Sequence, residues 1–322
     1  MIKIFIGPMT KNVVDAVMEF SKDTDNPIGF IPSRRQVENT GGYVNNWKTK
    51  EFSKYTKGMF LTRDHAGPSQ GLYEDDGFDS LKTDCRYFDM IHVDPWKKYP
   101  DLHEGIAQTI KMIRYCLKQN PDMAFEVGTE ESIRRFDTKE IDFLLKSLKT
   151  SLSKEEFKKI THCVIQSGTS LRGNYNTGVY DKDRLIEMVD VTDSYNLISK
   201  EHNGDYLPAN LIKEKFSLGL GCINIAPEFG QIETKAYVQA IKQSRPDLID
   251  KYWDICYNSG KWKKWVDNSF KPAEKKEELI NICGHYVISQ PIFIEHIRNN
   301  LDGIDDIIKD KIKIKLKELF DG

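Results

Sequence analysis

The sequence predicts an α/β fold, a (β/α)8 TIM barrel spanning residues 1–245, with a C-terminal helical extension over 246–322. Three observations carry that prediction. Eight short apolar segments alternate with amphipathic, helix-like ones before about residue 245, the period that eight strand-then-helix units require. Polar and charged residues gather where the apolar segments end, as they do at the mouth of such a barrel. No Gly-rich dinucleotide fingerprint follows the first segment, which ranks an open doubly wound sheet second.

Taken in order, residues 2–6 (IKIFI) read as the first strand, followed by a stretch with Val14, Val17 and Met18 on one side. Residues 28–31 are the second strand, running into a polar loop with Arg34, Arg35, Gln36 and Asn39. Met59, Phe60 and Leu61 form the third and deliver Asp64, His65, Gly67 and Pro68 to a loop, since glycine and proline punctuate the end of an apolar run. The fourth, 90–95, is followed by Ile106, Ile110, Ile113 and Leu117, a stripe at helical period. Residues 123–128 are the fifth, with Ile141, Leu144, Leu145 and Leu148 on the next helix. Ser153 and Glu156 form a capping box. The sixth strand is placed at 163–166 and the seventh at 195–199, with a helix around Leu185, Ile186 and Val189 between them. A helix near Leu211 precedes the eighth, 220–225. Beyond residue 245, Trp253, Trp262, Trp265 and a Lys/Ile/Leu-rich end read as helices that pack over the barrel or mediate a homo-oligomer.

The composition bounds the function. With 322 residues, 39% hydrophobic and 30% charged, the chain is an ordinary globular protein of enzyme size. A net charge of −2 gives no argument for nucleic acid or an anionic membrane as partner. No apolar run approaches a membrane span, and the chain opens on a strand rather than a signal peptide. Six scattered cysteines without a CxxC read as reduced, mostly buried thiols. A cytoplasmic enzyme binding a small molecule is the expectation.

The candidate residues lie at strand ends: Arg34, Gln36 and Asn39 after the second, Asp64 and His65 after the third, and His92 and Asp94 on the fourth. Glu126 and Glu130 follow on the fifth, Gln166 and Ser167 on the sixth, His202 and Asp205 on the seventh, and Glu228 and Glu233 after the eighth. Two imidazoles from the third and seventh strands, with a carboxylate or amide between, suit a divalent metal with an open position. Asp64 is placed to move a proton beside it. Arg34 or Arg35 suits a phosphate or carboxylate. By contrast, His92 lies inside an apolar strand, and His162 and His285 lie beside apolar runs; all three read as packing histidines. A Glu126 inside a strand is costly to bury unless paired, which marks it out. The stretch 168–173 (GTSLRG) reads as a solvated loop rather than an anion cradle.

In order and spacing, six blocks resemble the tagatose-bisphosphate aldolase non-catalytic-subunit family, itself related to class II aldolases. These are QVENTGGY at 36–43, DHAGP at 64–68, IHVD at 91–94, GTE at 128–130, VIQSG at 164–168 and HNGDY at 202–206. The resemblance implies a (β/α)8 barrel with a site for open-chain sugars or sugar phosphates. It implies proton transfer by Asp64, metal binding by His65 and His202, and either Glu126 or Glu130 completing the set. On the sixth strand, where class II aldolases carry another zinc-binding histidine, this chain has Gln166. Zn²⁺ remains the first expectation, and this departure admits the harder Mn²⁺ or Mg²⁺. The family's Gly-Ser phosphate loop after the seventh strand has no counterpart here. The implied activity is a class II-type aldolase acting on a ketose or ketose phosphate through an enediolate, with Asp64 and Glu130 catalytic. Arg34, Gln36, Asn39, Asp94, Gln166, Ser167, Asp205 and Glu228 are the expected substrate contacts. An epimerase or isomerase of a sugar or sugar acid is the second reading, and a non-catalytic subunit stabilising a partner aldolase the third.

Overall fold

In the computed structural model, which describes residues 2–172 and 175–321, eight parallel strands close on themselves. They are β1 (Ile4–Ile6), β2 (Ile28–Phe30), β3 (Phe60–Ala66), β4 (Met90–Val93), β5 (Ala124–Val127) and β6 (Ile160–Val164), then, after a hairpin of β7 (Leu171–Arg172) and β8 (Tyr175–Asn176), β9 (Ile198–Glu201) and β10 (Cys222–Ile225). Round the ring the order is β1-β10-β9-β6-β5-β4-β3-β2, and β1 bonds to both β2 and β10. The predicted barrel with C-terminal helices is therefore the fold. Its inner layer is tight: Phe5 fills it opposite Gly29, where a Cβ would stand 2.4 Å from the phenyl ring.

The surrounding helices are α1 (Lys11–Thr24), α2 (Thr49–Tyr55), α3 (Phe78–Tyr87), α4 (Leu102–Gln119), α5 (Thr138–Ser151), α6 (Lys154–Phe157), α7 (Lys182–Ser194), α8 (Ala209–Ser217) and α9 (Pro227–Ser244). Most start where a side chain satisfies the free N–H groups of the first turn: Thr10 caps α1, Asp101 caps α4, and Asp181 caps α7. The Ser153–Glu156 capping box opens α6, and Asp137 with Glu140 forms another on α5. The apolar stripe predicted on α5 is fully buried. All six cysteines are free and buried, as expected.

Among the boundaries that differ from the sequence reading, three have a clear local cause. β3 runs through Asp64 and His65 instead of stopping before them. β6 ends at Val164, because Gln166 leaves the ladder to bind loop backbone. β9 begins at Ile198 rather than 195, because Tyr195 caps α7 and Asn196 turns the chain with φ +58°. Of the stretch 168–173, Gly173 lies outside the described residues, and Leu171–Arg172 is paired in the small hairpin.

After α9 come α10 (Ile249–Ser259), α11 (Lys276–Cys283), α12 (Pro291–His296) and α13 (Ile304–Asp321). On α13, Ile308, Ile312 and Leu316 are fully buried in the same apolar cluster as Val13 and Val17 of α1 and Val238 and Ile241 of α9. The Phe20 and Phe320 rings meet at 5.7 Å, and Lys313 pairs with Glu19 at 2.5 Å. Trp253, Trp262 and Trp265 pack against that cluster too.

Candidate functional site

Consecutive strand residues ordinarily face opposite ways, yet Asp64 and His65 face the same pocket. The cause is local. The β3–β4 register shifts between Arg63 and Ala66, and His65 adopts φ +46°. A bulge with a left-handed residue re-aims one side chain, a device that tends to sit at functional sites. Arg63, facing outward, anchors the strand behind it: its guanidinium grips Asp84 at 2.7 and 2.9 Å and the carbonyls of Pro32 and Val37.

His65, His92 and His202 converge with Asp64, each offering one ligand atom, and these atoms all lie within 4.8 Å of one another. Asp64 Oδ2 is 3.7 Å from His65 Nε2, and its Oδ1 is 3.8 Å from His92 Nδ1 and 3.7 Å from His202 Nδ1. Every imidazole is held by its other nitrogen. His65 Nδ1 is 2.5 Å from Asp94 Oδ2, His202 Nε2 is 2.6 Å from Glu126 Oε1, and His92 Nε2 is 2.9 Å from the Gly128 carbonyl. An acceptor behind a ring forces that nitrogen to carry the proton and leaves the other lone pair facing inward, the arrangement that orients metal-binding histidines. The His92 lone pair takes a hydrogen bond from the His65 amide at 3.2 Å. Asp64 Oδ1 and His202 Nδ1 are buried with no hydrogen-bond partner. Buried polar atoms without partners are costly, and here they share one small space. Three imidazoles and a carboxylate form a donor set suited to a divalent ion of the zinc type.

The electrostatics pair a charged His65 with an ionised Asp64, so an ion bound at His65 Nε2 would displace a proton. Burial would raise the Asp64 carboxyl, but the imidazoles around it, His65 foremost, hold it well below the usual range. Burial opposes charge on His65, and Asp64 and Asp94 overcome it, lifting the ring to about 10. His202 stays depressed, its burial only partly offset by Glu126.

Of the expected residues, Asp64, His65 and His202 are brought together, and Asp94 and Glu126 stand behind them. Glu126, expected among the ligands, is turned away: its oxygens are taken by His202 and, at 2.8 Å, by Lys200 Nζ, all three buried. Asp94, expected at substrate, instead supports His65, with further donors from Thr129 Oγ1 at 3.1 Å and Trp96 N at 3.1 Å. Glu130 is half-buried and accepts from Ser132 at 2.5 Å; its charge reaches His65. Asp205 Oδ1 accepts the backbone N–H of Ala226 and Glu228, while its Oδ2 is buried and without a partner. Burial and then Glu228 push this carboxyl up to about 8.

The remaining expected substrate contacts are committed elsewhere. Arg34 spends its donors on Glu38, Asp75 and the Gly67 carbonyl. Gln36 bonds Ser33 N and Met9 Sδ, and Asn39 bonds the Asp79 carbonyl. Gln166 holds the loop after β5 through the Thr129 and Arg134 carbonyls and the Phe136 N–H. Ser167 is locked between Glu201 and Lys215. Glu228 accepts Tyr206 N–H at 2.7 Å and pairs with Lys315 at 2.8 Å. Each side chain is polar at a strand end and is already partnered within the protein.

Two residues escaped the sequence reading. His92 looked like a packing histidine. Asn224, inside β10 one position past the Ile223–Glu201 pairing and so level with His202, is buried with both amide atoms free of partners. A lone polar residue in an apolar strand was the available signal for both.

No protein-family model and no curated protein matches the chain. Solved structures do. A probable tagatose 6-phosphate kinase from Sinorhizobium meliloti superposes with a TM-score of 0.78 at 12% identity, covering all of both chains. The shared feature is the closed (β/α)8 barrel. A fructose-bisphosphate aldolase from Campylobacter jejuni matches with a TM-score of 0.61 at 12% identity, over 99% of this chain and 90% of that one. The fructuronate-tagaturonate epimerase UxaE from Cohnella laeviribosi, in a glycerol complex, gives 0.64 at 9% identity, over 99% and 80%. At these identities the likeness is one of fold and does not extend to the subunit family. No helix among the described residues is long and apolar enough to cross a membrane.

Proposed function

We propose that the chain is a metal-dependent, class II-type aldolase acting on an open-chain ketose or ketose phosphate. The observation that carries this reading is the convergence of three imidazoles on Asp64, with Asp64 Oδ1 and His202 Nδ1 left without partners. His65, His92 and His202 would hold the ion, His92 standing in for the histidine missing at Gln166; Zn²⁺ fits three nitrogen ligands better than Mn²⁺ or Mg²⁺. The chemistry supplied there is Lewis-acid polarisation of a sugar oxygen. Asp64, ionised and touching all three rings, accepts the proton from the hydroxyl that becomes a carbonyl as the carbon–carbon bond breaks. Asn224 and Asp205 supply polar atoms for the sugar hydroxyls. Asp205, protonated at neutral pH, donates from Oδ2.

Epimerisation is the second reading, favoured by Asp205. Inverting a carbon needs one group to take a proton and another to return it, and Asp64 and Asp205 enter neutral pH in opposite protonation states.

Metal analysis of the purified protein, with turnover assays on ketose phosphates and uronates, tests both. His65→Ala, His92→Ala and His202→Ala are each expected to lose the ion while staying folded; normal metal content in all three overturns the assignment. Asp64→Asn is expected to keep the ion and lose roughly 10²–10⁴-fold in rate. Triose products favour cleavage, and an isomer of unchanged carbon count favours epimerisation. An inert, metal-free chain that co-purifies with a second barrel protein points to the subunit role.

A further inference from the structure

Three cations stand at the same mouth without carboxylate partners. Arg35 follows β2, Lys97 follows β4, and Lys264 comes from the segment between α10 and α11. Arg35 is half-buried and the two lysines are solvent-accessible. Among the described residues none of the three makes an ion pair, although Arg34 next door is fully paired. Two of them grip one loop: Lys97 Nζ donates to the Ser69 carbonyl at 2.5 Å and Arg35 Nε to the Gly71 carbonyl at 3.3 Å. Between those residues, Gln70 reaches Asp94, the carboxylate that holds His65. The cations thus flank the loop that lies directly against the histidine cluster. Lys264 Nζ lies over the rings of Trp265 and Tyr286 at 4.4 and 5.1 Å, and Tyr286 packs on Tyr43, whose N–H bonds the Arg35 carbonyl.

We propose that Arg35, Lys97 and Lys264 form a subsite for the phosphate monoester at the far end of the substrate. The inference rests on the sugar-converting reading above and narrows its substrate to phosphorylated sugars. Like charges collected from three distant segments destabilise one another unless an anion joins them. Their mutual influence is visible. Burial first and Arg35 next lower the Lys97 amine, with Glu74 and Asp94 acting the other way; burial, Arg35, Lys261 and Lys97 bring Lys264 to about 8. A carboxylate is satisfied by one guanidinium fork, whereas three separate cations match the three oxygens and double charge of a phosphate.

Calorimetric titration of inorganic phosphate at fixed ionic strength tests the assignment, using the wild type, Lys97→Met, Lys264→Met and His92→Ala, with metal content measured on the same samples. Each lysine substitution is expected to weaken phosphate binding about tenfold, or ~1.4 kcal/mol, at unchanged metal content. His92→Ala is expected to do the reverse. Equal phosphate affinity in wild type and both lysine variants overturns the subsite, and so does glucuronate binding as tightly as phosphate. Normal metal content in His92→Ala, with phosphate binding still sensitive to the lysines, instead removes His92 from the metal site and leaves the subsite standing.

Discussion

Glu126 shows how much one buried side chain can carry. One oxygen fixes His202 and the other neutralises Lys200 inside the barrel. Glu126→Gln is expected to cost on the order of 3–5 kcal/mol, because it strands the lysine charge. It should also lower metal affinity roughly 10–100-fold by releasing the ring. Adding Lys200→Met should recover most of the stability and none of the affinity. Urea unfolding and metal titration of the single and double variants check this, and recovered affinity in the double variant refutes the orienting role. At this scale Asp64, His65 and His202 were legible because each is an imidazole or carboxylate at the end of an apolar run. His92 was not. Within residues 90–93 it looks like any packing histidine, and only the β3 bulge and the distant β9 bring its Nδ1 into a shared space.

At the level of elements, the alternation of apolar and amphipathic segments exposed all eight strands, because each helix must bury one stripe and each strand both faces. Boundaries slipped where a side chain competes with the ladder. Gln166 is the clearest case: its amide ties the Thr129 and Arg134 carbonyls and the Phe136 N–H, pinning the segment between β5 and α5. Gln166→Ala leaves those groups unmet and is expected to destabilise the protein by about 1–3 kcal/mol. Faster amide exchange around Phe136 would accompany the loss; unchanged exchange there argues against an anchoring role. Gln166 was read as a substrate contact, and its sequence position alone could not show these backbone partners: a polar residue at a strand end does not reveal whether its partner is a substrate or a carbonyl.

For the whole molecule, a buried imidazole of the C-terminal segment is expected to weaken the fold in acid. His285 is buried against Gly230 and Tyr286, with neither ring nitrogen bonded. Burial, helped by Lys264, lowers its pKa from 6.5 to about 3. A depressed folded-state pKa means the stabilising share is full above the unfolded value and drains as pH falls from 6.5 toward 3. His285→Leu should flatten that acid-side loss by up to ~4 kcal/mol, read as denaturant midpoints at about pH 7 and about pH 4. Parallel pH curves for both proteins would exclude His285 as the cause. The ring of strands has a consequence for biosynthesis. His65 and His92 leave the ribosome long before His202, and β1 cannot be flanked on both sides until β10 exists. If the proposed metal site is right, a nascent chain would carry only an open, low-affinity pair of imidazoles, and tight capture of an ion would mark the moment at which the circle is complete.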